Sequence, residues 1–298
     1  MHPSRQTENI ERQRVGQRST LVSVAVNIVL TALQFTIGIF AQSQALVADA
    51  IHSLSDLISD GVVLLANKHS LKGPDLDHPY GHLRFETAAS LAIGVLLLTV
   101  GVGMIWNSIT KLQDPSTIPT VHITALYVAL IALIGKEALF HYMLRAAKKV
   151  RSTMLIANAW HARSDAASSL VVALGIIANL SGLPIADPLA ALIVGLIIMR
   201  IGWTFSLHAF NDLVDKAVDD HTEGQISALI LSTPGIQGIH DLKTRKMGDM
   251  IWVEVDLEMD GTLTIEAGHA IAVEARSRVM AELPVLDVMT HFDPVEVG

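Results

Sequence analysis

Apolar residues along this chain gather into six long runs, about Thr20 to Phe40, Ala45 to Asn67, Thr87 to Ile109, Ile123 to Leu144, Met154 to Leu180 and Ile185 to Leu207. A helix needs roughly 20 residues to cross a hydrocarbon core of about 30 Å, so each run predicts a transmembrane helix. The second and fifth runs hold ionisable residues near their middles, whereas the other four read as almost purely apolar there.

After Phe210 the period changes and the segments shorten. Glu223 to Ser232 predicts a helix and Ile239 to Lys246 a strand. From Ile251 to Met259, the residues Ile251, Val253, Val255 and Leu257 alternate with Trp252, Glu254, Asp256 and Glu258, the signature of a half-buried strand. Gly248 and Asp249 between these strands predict a hairpin turn. Thr264 with Ala267 to Leu283 predicts a second helix ended by Pro284, and Val285 to His291 a third strand. The order αββαβ packs helices on one face of a small mixed sheet. The expected organisation is an N-terminal tail (1–19), a six-helix membrane domain (20–208) and a C-terminal α+β domain (209–298), which a dimer would help to stabilise at its size.

Composition agrees with a membrane protein, at 51% hydrophobic and 17% charged residues. There is no Cys, which excludes thiolate metal sites, cysteine nucleophiles and disulfide frameworks. Charge is divided unevenly: from Phe210 onward 17 acidic residues face 6 basic ones, while the rest of the chain carries a small positive excess. The acidic C-terminal part argues against nucleic acid as a partner. Basic residues mark the loops that stay inside. Arg5, Arg12, Arg14 and Arg18 precede the first run, Lys68, Lys72 and Arg84 follow the second, and Arg145, Lys148, Lys149 and Arg151 follow the fourth. The opposite connections hold only Lys111. Both termini are therefore expected in the cytoplasm. The length and the lack of a signal or transit peptide predict a multi-pass protein of a bacterial inner membrane.

Chemistry is concentrated in the second and fifth runs. His52 and Asp56 stand four residues apart on one helical face, and His161 and Asp165 repeat the arrangement. Each pair lies about 8 residues, roughly 12 Å, into its helix. Because the two helices run in opposite directions, the pairs meet near mid-membrane. Two imidazoles and two carboxylates there form a nitrogen and oxygen ligand set that suits Zn²⁺. Polar residues bonding between helices would be the plain alternative. Against it, a charge at the bilayer centre costs about 2.5 to 3.5 kcal/mol, which makes four matched residues poor candidates for accident. Asp49 and Asp60 extend the stripe as access-path or helix-contact residues.

Asp75, His78 and His82 in the loop after the second run offer a looser second site, and His240, Asp256, His269, His291 and Asp293 a third in the C-terminal domain. His291 and Asp293, two apart in a strand, share a face. A hydrated loop holds such residues without a site often enough that this explains the first group more readily, and polar surface residues explain the second nearly as well as a site does. The chain has no Walker loop, no HExxH and no dinucleotide fingerprint, so any work must come from a gradient, and no enzyme activity is expected.

These residues resemble the cation diffusion facilitators, proton-coupled exporters of zinc, iron, manganese, cobalt or cadmium. The likeness is carried by LVADAIHSLSD, DHPYGH, NAWHARSD, GIHDLKTR and THFDP, and spans the chain from the first run to Pro294. It implies a homodimer with a metallochaperone-like, ferredoxin-like C-terminal domain. It implies a transport site at His52, Asp56, His161 and Asp165, a loop site at Asp75, His78 and His82, and a cytoplasmic site at His240, Asp256, His269, His291 and Asp293. A charge interlock would fall on Arg84 and Asp215. Two departures stand out: relatives often carry Asp where His52 stands, and Asp256 replaces a bridging His.

The expected function is proton-coupled antiport of divalent transition metals out of the cytoplasm, Zn²⁺ first and Fe²⁺ or another first-row ion next, with the metal as substrate and regulator. Lipid, protons, metal ions and a second copy of the chain are the expected partners. A membrane-anchored metal sensor or scaffold is the alternative, but an anchor needs no charges at mid-membrane. An intramembrane hydrolase would keep an open metal position beside a general base, which four protein ligands do not leave.

Overall fold

The computed structural model describes the backbone of residues 3–70, 72–150 and 153–295. Side chains are described within those ranges from residue 18 on, except at 60, 63, 64, 67, 68, 117, 153, 154 and 157. The side chains of Asp60, Lys68 and the arginines at 5, 12, 14 and 151 therefore lie outside the described residues. Six long helices are followed by the C-terminal α+β region: α1 (Pro3–Phe40), α2 (Gln44–Ser70), α3 (Arg84–Gln113), α4 (Ile123–Lys149), α5 (Thr153–Leu180), α6 (Ala186–Leu213), α7 (Asp220–Leu231), β1 (Gly238–Met247), β2 (Met250–Asp260), α8 (Ile265–Glu282) and β3 (Val285–Val295).

Five helical spans among the described residues are long and apolar enough to cross a membrane: Arg18–Phe40, Arg84–Gln113, Ile123–Lys149, Asn158–Leu180 and Ala186–Leu213. The sixth long helix, α2, matches them in length with 27 residues. Its Asp49, His52, Asp56 and Asp60 are what lower its hydropathy. Two boundaries differ from expectation. The N-terminal tail is not a separate segment, because α1 begins at Pro3. Proline is well placed at a helix start, and the Arg, Gln and Glu that follow are good helix formers. At the other end α6 runs on to Leu213, past the expected boundary at 208, since neither Pro nor Gly interrupts His208 to Leu213.

The chain divides into two compact units, Met1–Gly61 with Ile93–Thr204, and Val62–Ala92 with Phe205–Gly298. In the first, α4 packs against α5 and α1. Leu139, Phe140 and Met143 of α4 meet Ala159 and Ala162 of α5, with Val22 and Val26 of α1 against them. Helices approach closely where side chains are small, the usual solution where lipid is as apolar as the packing itself. A Cβ on Gly175 would sit 2.4 Å from Cβ of Ala190, and one on Gly202 would sit 2.6 Å from the backbone nitrogen of Leu98. Val95, Val102, Trp106, Ile131, Ile134 and Leu174 face outward, as lipid-facing residues do.

The start of α2 is held from a distance. Asp187, buried at the head of α6, accepts from the Ser43 hydroxyl at 2.5 Å and the Gln44 amide at 2.7 Å. A carboxylate here satisfies orphan amides and meets the positive end of the helix dipole.

The second unit contains a three-stranded sheet in the order β1-β2-β3. β1 and β2 are antiparallel and β2 and β3 parallel, giving the mixed sheet expected of αββαβ. Ile251, Val253, Val255, Leu257 and Met259 of β2 are buried against Ile226 and Ile230 of α7 and Ala272 and Val279 of α8. Gly248, at φ +62°, opens the two-residue turn between β1 and β2, where a left-handed residue suits the strand twist.

Candidate metal centres

Helices α2 and α5 bring His52, Asp56 and Asp165 together, with one ligand atom from each within 4.8 Å of the others. Nδ1 of His52 lies 3.5 Å from Oδ2 of Asp56, and Nε2 lies 4.0 Å from Oδ1 of Asp165. His52 is buried, and its Nδ1 has no hydrogen-bond partner. Ligands of a tetrahedral zinc ion at about 2.0 to 2.1 Å lie roughly 3.4 Å apart, so the three side chains stand slightly wider than such an ion would draw them. His161 stands outside this group, at an exposed position. Its spacing places it on the Asp165 face of α5, but spacing does not fix which way the imidazole turns.

One turn away lies a network of which the sequence reading had marked only Asp49. Asp49 is fully buried and Lys136 is 2% exposed. The Lys136 ammonium stands 3.3 and 3.2 Å from the two Asp49 oxygens and donates to Ser169 Oγ at 2.8 Å. Asp49 also accepts from Gln34 at 2.5 Å, Ser169 at 2.6 Å and Ser168 at 3.2 Å. Asp49 is thus a helix-contact residue joining α1, α2, α4 and α5. Reading the fourth run as almost purely apolar was an error: Lys136 and Glu137 interrupt it, and an intramembrane lysine is itself a signal.

In the second unit Asp75, His78 and His82 form another cluster. Asp75 lies 3.3 Å from Nδ1 of His78 and 3.4 Å from Nε2 of His82. The His78 amide donates to Asp75 at 2.7 Å and holds its carboxyl below the usual range. Nδ1 of His82 meets the Gly73 carbonyl at 3.2 Å. That contact orients the ring so that Nε2 faces Asp75.

The sheet assembles a third cluster from His240, Asp256 and Asp293. Nε2 of His240 is 2.8 Å from Asp293 and 3.8 Å from Asp256, while its Nδ1 is 3.0 Å from Glu258. The Glu258 hydrogen bond, with the acids around it, raises the His240 pKa above its ordinary value. Glu258 was not among the expected residues, although its place two positions after Asp256 put it on the same face. His291 pairs with Asp293 at 3.4 Å but stays exposed and outside the cluster. His269 also stays outside, because it lies on an exposed face of α8 rather than on the sheet. Arg84 pairs with Asp215, which also lies 3.7 Å from Arg245. Asp215 takes a left-handed φ of 61° just beyond α6.

Residues 20–214 match the family described as "Cation efflux transmembrane domain", and residues 218–295 match "Cation efflux protein, cytoplasmic domain". Metal tolerance protein 2 of Oryza sativa subsp. japonica is 33% identical, over 94% of this chain and 79% of its own length. Manganese efflux system protein MneP of Bacillus subtilis is 30% identical, over 95% of this chain and 98% of its own. Magnetosome protein MamB of Paramagnetospirillum magneticum is 32% identical over 87% of each. Among solved structures, the copper form of MamM CTD is 21% identical and covers 26% of this chain and 88% of its own, with a TM-score of 0.26.

Proposed function

The chain belongs to the cation efflux family, the cation diffusion facilitators, and on that premise we propose that it is a homodimeric antiporter that exports Zn²⁺ in exchange for protons. The observation that carries this reading is the convergence of His52, Asp56 and Asp165 between two membrane helices. In the proposed arrangement both termini are cytoplasmic, residues 20–208 transport, and residues 209–298 dimerise and regulate. His161 completes the transport site by turning its ring inward from the exposed position it takes on α5. The loop and sheet clusters bind regulatory ions.

Protons enter through the ligands themselves. An ion binds neutral imidazole and ionised carboxylate, so loading the site releases whatever protons the empty site held. Protons arriving from outside then compete the ion off, and the protonated site returns inward.

Mn²⁺ is a second substrate reading, favoured by the name of the Bacillus subtilis relative and by a cluster of one imidazole and two carboxylates. Oxygen-rich sites suit Mn²⁺, whereas a second imidazole suits Zn²⁺. Flux into proteoliposomes tests both ideas. Zn²⁺ transport should exceed Mn²⁺ transport, should rise with an opposing proton gradient at constant membrane potential, and should fall on His161→Ala. Flux indifferent to the gradient would remove proton exchange. Mn²⁺ preference unaffected by His161→Ala would replace Zn²⁺ as substrate.

A further inference from the structure

The buried Asp49–Lys136 pair takes no part in the function proposed above, yet it is placed beside the ligands. Asp49 precedes His52 by three residues on α2, and Ser168 and Ser169 follow Asp165 by three and four on α5. On both helices the network therefore lies one turn from the ligands, toward Gln44 of α2 and Leu180 of α5. Both charges act electrostatically on His52, and that of Lys136 also on Asp165.

Asp49 lies one turn from His52 on the same face of α2 and is kept occupied. A carboxylate has about four acceptor positions, and Gln34, Lys136, Ser168 and Ser169 all stand within hydrogen-bond distance. These partners come from three helices, so Asp49 cannot turn toward His52 without breaking contacts to α1, α4 and α5. Stability gives little reason to retain such a pair, since apolar residues of similar volume generally serve as well at buried positions.

Resting on the transport-site reading, we propose that Lys136 is a specificity-determining positioning residue: by occupying Asp49 it keeps a third carboxylate out of the ligand set. An ion at His52, Asp56 and Asp165 then meets two negative charges, which balance a divalent cation. A third carboxylate would add charge and oxygen, favouring harder ions of higher coordination number over Zn²⁺.

The test uses full-length protein carrying His78→Ala and His240→Ala, so that binding reports the intramembrane site, with Zn²⁺ and Mn²⁺ as competing probes. Lys136→Met should move the Zn²⁺ to Mn²⁺ affinity ratio toward Mn²⁺ by about tenfold, one decade of relative affinity. The charge-neutral double variant Lys136→Met with Asp49→Asn should return the ratio to its parent value. Asp49→Asn alone strands an ammonium beside the site and should weaken both ions about tenfold, with the double variant restoring them. An unchanged ratio in folded Lys136→Met, or the same shift in the double variant, overturns the proposal. If Lys136→Met does not fold, parent-like affinity in Asp49→Asn overturns it, and weakened affinity rescued in the double variant supports it. Asp165→Asn in the same background separates the two ideas. Binding lost there, with Lys136 variants inert, refutes this inference alone; binding retained there removes the transport site beneath it.

Discussion

Asp165→Asn separates a ligand from a structural acid, because the two roles predict effects of opposite sign. Asn keeps the shape of the side chain and removes its charge. In the metal-free protein Asp56 and Asp165 place ligand oxygens within 4.8 Å of one another. Two unit negative charges at that distance repel by about 3.5 kcal/mol or more at an effective dielectric of 20. The substitution should therefore leave the metal-free protein as stable as before, or more so. With metal the sign reverses. Losing a group that merely orients a ligand costs about 10- to 100-fold in affinity, so losing the ligand itself should cost at least about 100-fold. At a Zn²⁺ concentration about 100 times the parent dissociation constant, ligand-linked stabilisation is about 2.7 kcal/mol. For the variant it falls to about 0.4 kcal/mol. Thermal unfolding of purified protein with and without Zn²⁺, in a background lacking His78 and His240, reads both arms. A variant that is destabilised without metal and still gains the parent's shift with Zn²⁺ would refute the assignment of Asp165 as a ligand.

Two further outcomes follow from the second unit. His240 has its pKa raised by Glu258, so its protonated form contributes stability that is fully present below its unfolded value of about 6.5 and lost as pH rises through the higher folded value. Zn²⁺ binding at His240, Asp256 and Asp293 needs the neutral ring and should strengthen through the same window, with Glu258→Gln moving the onset to lower pH. Titrations of Zn²⁺ between about pH 6 and 8 in which the onset does not move would disprove the link. Arg84→Asp and Asp215→Arg should each impair transport more than stability, because exposed pairs are worth only about 0 to 1 kcal/mol. The double reversal should recover part of the activity, and only part, because Asp215 also faces Arg245; strictly additive losses would show that the two residues do not act as a pair.

Periodicity carried much of the architecture into the sequence. Runs of apolar residues marked the long helices, and alternation along Ile251 to Met259 gave the central strand its buried face. Helix ends were less legible, because what fixes them can be remote: nothing near Gln44 announces that Asp187 caps it. Spacing put His52 with Asp56 and His161 with Asp165, but a period of 3.6 fixes where a Cβ points, not the rotamer beyond it. His161 is where that difference is seen. Glu258 was visible in the strand pattern and overlooked. Lys136 was overlooked because averaging hydropathy over a long run conceals a single ammonium among apolar neighbours.

The cap on α2 bears on how the protein is made. Synthesis runs from the N-terminus, and Asp187 lies 143 residues after the amide it accepts from. Lys136 follows Asp49 by 87 residues, and Ser169 follows it by 120. While α2 is leaving the ribosome, Lys136, Ser168, Ser169 and Asp187 do not yet exist, and only Gln34 of α1 has been made. The helix that carries His52 and Asp56 thus begins without most of the partners that hold it. It acquires its partners in sequence, from α4, then α5, and finally α6, so a nascent chain cut short before α6 leaves the entry to α2 without its closing carboxylate.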